Sequence, residues 1–438
     1  MTRTLARELA QKIGETVTIE GWLHKKRLLG GLNFITLRDR SGLVQNLISD
    51  KDELEKLRGM QIGTVLSLTG IVTADERAPG GAELHDVKVE VQVAVTDEPP
   101  IEIDKPISHK SENLDTLFEY RVLNIRNLQE QKIFKIRGDL THYIREHLRS
   151  KEFVEIDTPK LLAEATEGGA EVFKLDYFGK TATLAQSPQF YKQIMVGAFE
   201  RVFEIGHSYR AEPSATSRHL TELTMLDIEM GFVKSHDEVL DTVGDMTSAV
   251  LRRVYDEHAD DLKALNAPEL KLPADGKVPR FTIAEIHEMY TKATKNNVTD
   301  EKDLIPDEER WICDYARKNL GSDLVFATEF PLEAGKFYHK LDKERGVVMW
   351  GDLLFRGLEI ATCPLRENDY ETMIQQMTDA GLDVTHEGFK YYLQAFKYGL
   401  PQHGGCGFGI DRLVEKTIGL ANVKEATLFP RDINRLTP

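Results

Sequence analysis

Arg210 and Glu212 stand two apart in FEIGHSYRAE, residues 203 to 212, at the end of an alternating run. On an extended backbone, residues i and i+2 leave the same face, so one guanidinium and one carboxylate would face a common ligand. A planar guanidinium matches a phosphate or carboxylate, and a glutamate accepts from an amino group. An ion pair on a sheet surface fits the same spacing. A second candidate is GGCGFGIDRL, residues 404 to 413, where Gly407, Gly409 and Arg412 form G-x-G-x-x-R. A dinucleotide fingerprint would need a sixth-position glycine in an early βαβ unit, and a Walker pattern is absent. Glycines let a strand pass close under a flat ligand, and Arg412 could cover a base or meet a phosphate. A ligand-free strand-to-helix turn is the alternative. The third candidate is acidic: Asp227 and Glu229 in MLDIEM, and Glu359 in FRGLEIAT. If 355 to 361 is extended, Glu359 shares a face with Phe355 and Gly357. A carboxylate in an apolar strand is costly unless paired or on a metal. With Thr362 these acids would suit Mg²⁺, a hard ion that prefers oxygen ligands and substrate phosphates. Pairing with Arg210, Arg218 or Arg366 is the other outcome.

The elements that must carry these residues fall into two textures. Residues 16 to 95 hold about five short β-like segments, with a polar helix at 52 to 59 and turn signals DRSG and APGG. That count predicts a small β-barrel, with OB as the leading candidate. A proline- and charge-rich stretch at 98 to 112 reads as linker. The expected division is a barrel domain over 1–103, a hinge over 104–125 and a catalytic domain over 126–438. In the last, Ile133, Ile136, Leu140, Tyr143, Ile144 and Leu148 recur at three and four, the stripe of a packed helix. FVEIDTPKL follows as a strand stopped near Pro159. Further expectations are a strand at 223 to 233, a long helix at 236 to 259, loop from 260 to 280, an acidic helical insertion within about 260–325, and a strand at 347 to 362. Strands and helices without a regular βαβ beat predict an α+β domain on an antiparallel sheet flanked by helices.

Composition sets the limits. The chain has 438 residues, 56 basic and 72 acidic, with a formal charge of -16. That argues against a general polyanion binder but allows a local basic patch on an acidic body. Cys313, Cys363 and Cys406 are too few and dispersed for a disulfide scaffold or a cysteine zinc site. No 18-residue apolar run occurs, and the start MTRTLARELAQKIGE lacks an apolar h-region. The expected location is cytoplasmic, with no membrane or DNA partner. No Ser-His-Asp or Cys-His arrangement stands out.

Three separated motifs resemble those of the class II aminoacyl-tRNA synthetases. The helix and strand ending in Pro159 match their first motif. Arg210 and Glu212, with RHL at 218 to 220 and the strand at 223 to 233, match the second, and Gly407 to Arg412 match the third. Closer still, TEGGAEVF at 166, QSPQFYKQ at 186, FRGLEIAT at 355, HGGCGFGIDRL at 403 and LFPRD at 428 resemble the aspartyl-tRNA synthetases of archaeal type along nearly the whole chain.

The resemblance implies ATP and Mg²⁺ as cofactors and an aspartyl adenylate. Arg210 would hold the α-phosphate and the carboxylate region of the adenylate, and Glu212 would accept from the adenine amino group. Arg218, next to His219 and Leu220 in the ATP site, would meet the γ-phosphate together with Arg412. Phe232 would cover the other face of the base. Glu359 would be the main Mg²⁺ ligand with Thr362 beside it and Asp352 as a second acid. Glu167 and Gln189 would bind the α-amino group, and Lys192 and Arg366 the β-carboxylate of L-aspartate. On the barrel, Phe34 would stack on the anticodon and Gln45 would read its central uridine, with Lys25, Lys26 and Arg27 as a basic docking patch. Strict members carry tryptophan and lysine where this chain has His24 and Pro79, so His24 and Pro79 resemble the relaxed members that charge both tRNA(Asp) and tRNA(Asn). A homodimer built on the first-motif helix is implied, because the stripe at 133 to 148 would need a cover. Intrachain packing is the alternative for that stripe. An asparagine-specific or strictly tRNA(Asp)-specific enzyme and an RNA-binding paralogue are the rival functions.

Overall fold

Alternation in the first hundred residues closes into a barrel. The computed structural model describes every residue except 1–2, 30–31, 107–112, 164–170 and 214–215. Strands β1 (Thr16–Leu29), β2 (Leu32–Arg38), β3 (Leu43–Leu47), β4 (Val65–Ala74) and β5 (Ala82–Val93) close in the order β1-β2-β3-β5-β4, and α1 (Lys51–Arg58) lies between β3 and β4. Pairing is antiparallel except β3 with β5, which is parallel. This is the OB-type barrel with inserted helix that the segment count predicts. Every second residue faces in: Val17, Ile19, Leu23, Ile35, Leu37, Val44, Leu66 and Leu68 form its core. Closure brings β1 against β2 so tightly that a Cβ on Gly21 would stand 2.3 Å from the Arg38 carbonyl oxygen. Helix α1 starts where the Asp50 side chain accepts from the Asp52 and Glu53 amides, an N-cap. Part of the expected hinge lies outside the described residues. The rest forms α2 (Leu114–Glu119) and α3 (Arg121–Asn124), where buried Arg121 donates to Glu130 at 2.9 Å.

Residues 1–131 with Pro438 form one compact unit and 132–437 the other. The second unit is built on a nine-stranded sheet. Its main path runs β12 (Arg280–Thr282), β13 (Leu324–Pro331), β15 (Val347–Phe355), β16 (Glu359–Pro364), β17 (His403–Gly409), β11 (Glu222–Gly231), β10 (Arg201–Tyr209) and β6 (Val154–Glu155), and β14 (Leu341–Asp342) pairs with β15. The interior pairings are antiparallel, as expected. The two end pairings, β12 with β13 and β6 with β10, are parallel, so the sheet is mixed. A separate small sheet joins β7 (Leu161–Leu162), β9 (Lys180–Leu184) and β8 (Lys174–Tyr177).

Helices α4 (Leu128–Ser150) and α6 (His236–Glu257) supply most of the apolar cover. The predicted stripe from Ile133 to Leu148 is buried inside one chain, clustered with Val239, Leu240, Val243, Met246, Val250 and Val254 of α6 and with sheet residues. The stripe therefore needs no second copy to cover it, which removes that argument for a dimer. The loop expected at 260 to 280 opens with a short helix, α7 (Ala259–Ala264). The insertion that follows carries α8 (Ile283–Thr294) and α9 (Pro306–Tyr315).

The expected single strand at 347 to 362 is a hairpin. The chain reverses at Arg356 and Gly357, whose φ angles are 49° and 79°. The turn is held because the Arg356 guanidinium donates to Asp323 Oδ2 (2.8 Å) and the Lys416 carbonyl (2.8 Å). Glu359 consequently pairs with Leu354 across the hairpin and does not share a strand face with Phe355. The remaining α-helices among the described residues are α5 (Gln189–Phe199), α10 (Tyr370–Asp379), α11 (Lys390–Lys397) and α12 (Ile410–Ile418). No helix among the described residues is long and apolar enough to cross a membrane.

Candidate active site

A cavity of about 290 Å³ opens over the middle of the sheet, lined from β11, β16 and β17, the first turn of α12, and the loops around 210–220 and 336–339. Its floor is shaped by glycine. A Cβ on Gly405 would stand 1.9 Å from the Ile228 carbonyl oxygen, so β17 can approach β11 only without a side chain there. Gly407 differs. A Cβ at Gly407 would touch only Met225 Cε at 3.6 Å and Asp227 Oδ1 at 3.8 Å, ordinary contacts. Its missing side chain leaves room in the cavity and relieves no clash within the protein.

At that floor four charged side chains are packed together. Lys192, 1 % exposed, donates to Asp227 Oδ1 and to the Cys406 carbonyl, both at 2.8 Å, and lies 3.7 Å from Glu229. Arg366, 2 % exposed, grips Glu229 with Nε and Nη2 at 3.0 and 3.1 Å, the two-point geometry of guanidinium and carboxylate. Unpaired, each ion would cost several kcal/mol to bury, roughly, after relaxation. Burial pushes the Asp227 carboxyl above its usual range although Lys192 opposes it. Burial acts the same way on Glu229, but Arg366 and Lys192 outweigh it and hold that carboxyl low. The cations that the resemblance assigns to a substrate carboxylate are thus already balanced by Asp227 and Glu229. Glu229 sets the two cations side by side.

Behind them a neutral chain fixes Gln189. Gln189 Nε2 donates to Gln193 Oε1 (2.8 Å), which also accepts from the Tyr392 hydroxyl (3.0 Å). Gln193 Nε2 donates to His403 Nε2 (2.9 Å), so the ring proton sits on Nδ1 and points to the Pro401 carbonyl at 2.8 Å. Burial lowers the His403 pKa, which keeps that tautomer uncharged.

The other end of the cavity is more open. Arg210 and Glu212 lie just past β10, and Arg210 Nη1 stands 3.8 Å from Glu212 Oε1. His219 Nε2 is 3.3 Å from the other Glu212 oxygen. Arg218 Nη1 donates to Glu309 at 2.8 Å. Arg412, on α12, donates to the Glu359 carbonyl at 2.8 Å and approaches its side chain at 3.4 Å. Thr362 Oγ1 donates to Glu359 Oε1 at 2.9 Å. Asp352 lies opposite Thr362 and accepts from Trp350 Nε1 at 2.6 Å. Burial, and then the neighbouring Glu359, push the Asp352 carboxyl well above its usual range. Among the described residues no group of three or more His, Cys, Asp or Glu side chains forms a ready metal cage.

The cavity brings together Gln189, Lys192, Arg210, Glu212, Arg218, His219, Leu220, Glu359, Thr362, Arg366, Gly407, Gly409 and Arg412. Glu167 lies outside the described residues. Phe232 does not belong. It follows the far end of β11, is 60 % exposed with φ 58°, and is absent from the lining, so its ring does not reach a base bound in the cavity. The β11 side chains that line the cavity are Leu223, Met225 and Asp227. Their i, i+2 spacing was the available signal, the same one that singled out Arg210 and Glu212. Sequence reasoning also missed Lys336, Tyr338, His339 and Trp350, of which three lie in GKFYHK, a dense polar and aromatic run. Asp411 was missed too. It accepts from Arg137 and from the Thr224 amide (2.8 Å), pinning the start of α12 to β11.

On the barrel, Arg27 lies opposite Phe34, and Thr36 opposite Gln45, on neighbouring strands. Arg27 is exposed and Phe34 half-buried. Gln45 Nε2 donates to Glu83 (2.7 Å), whose other oxygen meets His85 Nε2 at 2.7 Å. Pro79 is exposed in a turn before β5. His24 is not displayed in this way. It occupies a bulge of β1 between Leu23 and Lys25, is 9 % exposed, and has its pKa lowered by burial and by Arg38.

Residues 113–433 match the family described as tRNA synthetases class II (D, K and N), and 17–101 match an OB-fold nucleic acid binding domain. The chain is 39 % identical to an aspartate–tRNA(Asp/Asn) ligase of Deinococcus radiodurans, covering 100 % of this chain and 99 % of the relative. It is 37 % identical to an aspartate–tRNA(Asp) ligase of Pyrococcus horikoshii, covering 100 % of both. Its fold superimposes on the asparaginyl-tRNA synthetase of Pyrococcus horikoshii bound to asparaginyl-adenylate, with TM-score 0.91, 30 % identity and 100 % of both chains covered. With residues of the second and third motifs lining one cavity, and with family and relatives matched over nearly the whole length, the chain belongs to the class II tRNA synthetases of the D, K and N group and is an aminoacyl-tRNA ligase.

Proposed function

We propose that the amino acid is L-aspartate and that the chain charges both tRNA(Asp) and tRNA(Asn). The observation that carries the first half is the buried Lys192 and Arg366 pair, set side by side by Glu229 at the cavity floor. Lys192 has three donors and spends two on Asp227 and Cys406, and two of the three Arg366 nitrogens are engaged. Such a pair suits a carboxylate, which accepts at both oxygens, better than an amide, which accepts at one. Relatives of comparable identity that act on aspartate support it.

The activation step places an α-carboxylate oxygen of the amino acid in line with the α-phosphorus of ATP and displaces pyrophosphate. Positioning and charge balance do most of the work in such a transfer. Arg210 meets the α-phosphate as charge develops there, and Glu212 accepts from the adenine amino group while its other oxygen stays near His219. Arg218 and Arg412 receive the terminal phosphates. Gln189, with Glu167, takes the α-amino group. Glu359, Thr362 and Asp352 offer oxygen donors only, and burial beside a second acid leaves Asp352 short of positive charge, a set that fits Mg²⁺. Bound with the phosphates, Mg²⁺ supplies charge neutralisation. The adenylate then passes its acyl group to the terminal ribose hydroxyl of the tRNA. Phe34, Arg27 and Gln45 on the barrel, residues 1–103, read the anticodon, and residues 126–438 carry out the chemistry.

Relaxed tRNA choice is supported by the Deinococcus relative and by His24 and Pro79 at the discriminating positions. Because His24 is buried, its contribution is the absence of a bulky reader. Charging purified tRNA(Asp) and tRNA(Asn) transcripts with labelled aspartate and labelled asparagine tests both halves. The expected result is aspartate on both and negligible asparagine on either. Aspartate on tRNA(Asp) alone removes the relaxed reading, and asparagine transfer removes the substrate assignment.

A further inference from the structure

Glu309 stands on α9 of the helical insertion and does not line the cavity. Its carboxylate accepts from Arg218 Nη1 at 2.8 Å, while Arg218 Nη2 reaches the Gly357 carbonyl at 3.5 Å. The insertion is seated firmly there. A Cβ on Gly357 would come within 3.0 Å of Arg310 Cγ, so α9 packs directly on the β15–β16 turn. Two residues past that glycine, Glu359 receives Arg412. Arg412 is thus held mainly by the Glu359 backbone carbonyl at 2.8 Å, with that residue's carboxylate at 3.4 Å, whereas Arg218 is held by a carboxylate from the insertion.

Charge then dictates an exchange. The guanidinium edge that Glu309 occupies is an edge a phosphate would use. The pair is mostly shielded, with side-chain exposures of 26 % for Arg218 and 14 % for Glu309. Burial raises the Glu309 pKa, Arg218 opposes that, and Glu359 reinforces it. A triphosphate arriving at Arg218 competes with a carboxylate already in place, and a departing pyrophosphate is replaced by it.

Resting on the reading of Arg218 as a phosphate ligand, we propose that Glu309 is a positioning residue that occupies Arg218 in the nucleotide-free enzyme, yields it to the terminal phosphates of ATP, and reclaims it as pyrophosphate leaves. The insertion thereby lowers affinity for ATP and pyrophosphate and favours product release. AMP, which lacks the terminal phosphates, does not take part in the exchange.

Calorimetric titration of the full chain with MgATP, pyrophosphate and AMP tests this. Glu309→Gln keeps an acceptor for Arg218 but removes the charge, so it is expected to bind ATP and pyrophosphate roughly 2- to 5-fold tighter, a range set by partly exposed ion pairs. Its AMP affinity is expected to stay that of the wild type. No change in ATP affinity, or an equal change for ATP and AMP, overturns the proposal. Arg218→Ala separates this from the underlying assignment. It should weaken ATP and leave AMP alone, and if both weaken alike the phosphate role of Arg218 falls. If Arg218→Ala behaves as expected while Glu309→Gln is silent, only the Glu309 proposal falls. Should Glu309→Gln not fold, Glu309→Asp, too short to hold the 2.8 Å contact, is to show the same split between ATP and AMP or overturn the proposal.

Discussion

Lys192 is nearly sealed from water, yet it is the group assigned to the substrate side chain. Its two partners at 2.8 Å hold the ammonium in place, so no side-chain entropy need be lost when the substrate arrives. Lys192→Met removes the charge at similar volume. The bereft Asp227 can then stay protonated, since burial already raises its pKa, which softens the usual penalty for breaking a buried pair. Aspartate-dependent ATP–pyrophosphate exchange is expected to fall by about 10- to 150-fold in kcat/KM for aspartate, the worth of one charged hydrogen bond. The KM for ATP should hardly move, and equal losses in the two would remove Lys192 from the side-chain site. Identity and spacing singled out Arg210, Glu212 and Arg412, and the family resemblance singled out Lys192; all four line the cavity. The resemblance also pointed to Phe232, which lies outside the cavity lining, because an aromatic next to a strand says nothing about which end of the strand meets the ligand.

The α8–α9 insertion carries a buried histidine that ties its parts together. His287 Nδ1 lies 2.7 Å from Glu308 and Nε2 lies 3.1 Å from the Glu301 carbonyl, so both nitrogens donate and the ring is charged. Burial alone would lower the His287 pKa, but the Glu308 carboxylate and the Glu301 carbonyl outweigh it and raise it. The stabilisation is therefore complete below the ordinary imidazole range and is lost as the pH rises through the raised value. His287→Gln is expected to cost about 1.5–3 kcal/mol in mild acid and much less in alkali. Melting curves across that range check it; a penalty that does not depend on pH would mean the ring is neutral. At the level of elements, periodicity located α4, α6 and the barrel strands, but it ran the 347–362 strand through its own turn. The reason is Arg356, a non-glycine residue at positive φ whose partners, Asp323 and Lys416, are far away in sequence.

The chain forms two compact units, each with its own apolar core, and on the proposed function one reads RNA and the other activates the amino acid. Phe34 is half-buried beside exposed Arg27 on the barrel, where aromatic stacking on a single-stranded base contributes about 1–3 kcal/mol. Phe34→Ala is thus expected to raise the KM for tRNA by roughly 5- to 150-fold. ATP–pyrophosphate exchange without tRNA should be unchanged. Steady-state charging beside exchange rates decides it, and a matching loss in both would place the effect in folding.

The amino-acid order alone located α4, α6 and the barrel strands, because alternation and helical spacing act over a few residues, and it carried the three motifs that mark the family. Only packing in three dimensions showed that Lys192 and Arg366 arrive already neutralised by Asp227 and Glu229, that Leu223 and not Phe232 faces the cavity, and that the helix stripe is covered within one chain. Those outcomes depend on partners brought together from distant parts of the chain, and long-range contacts leave no periodic trace in a sequence.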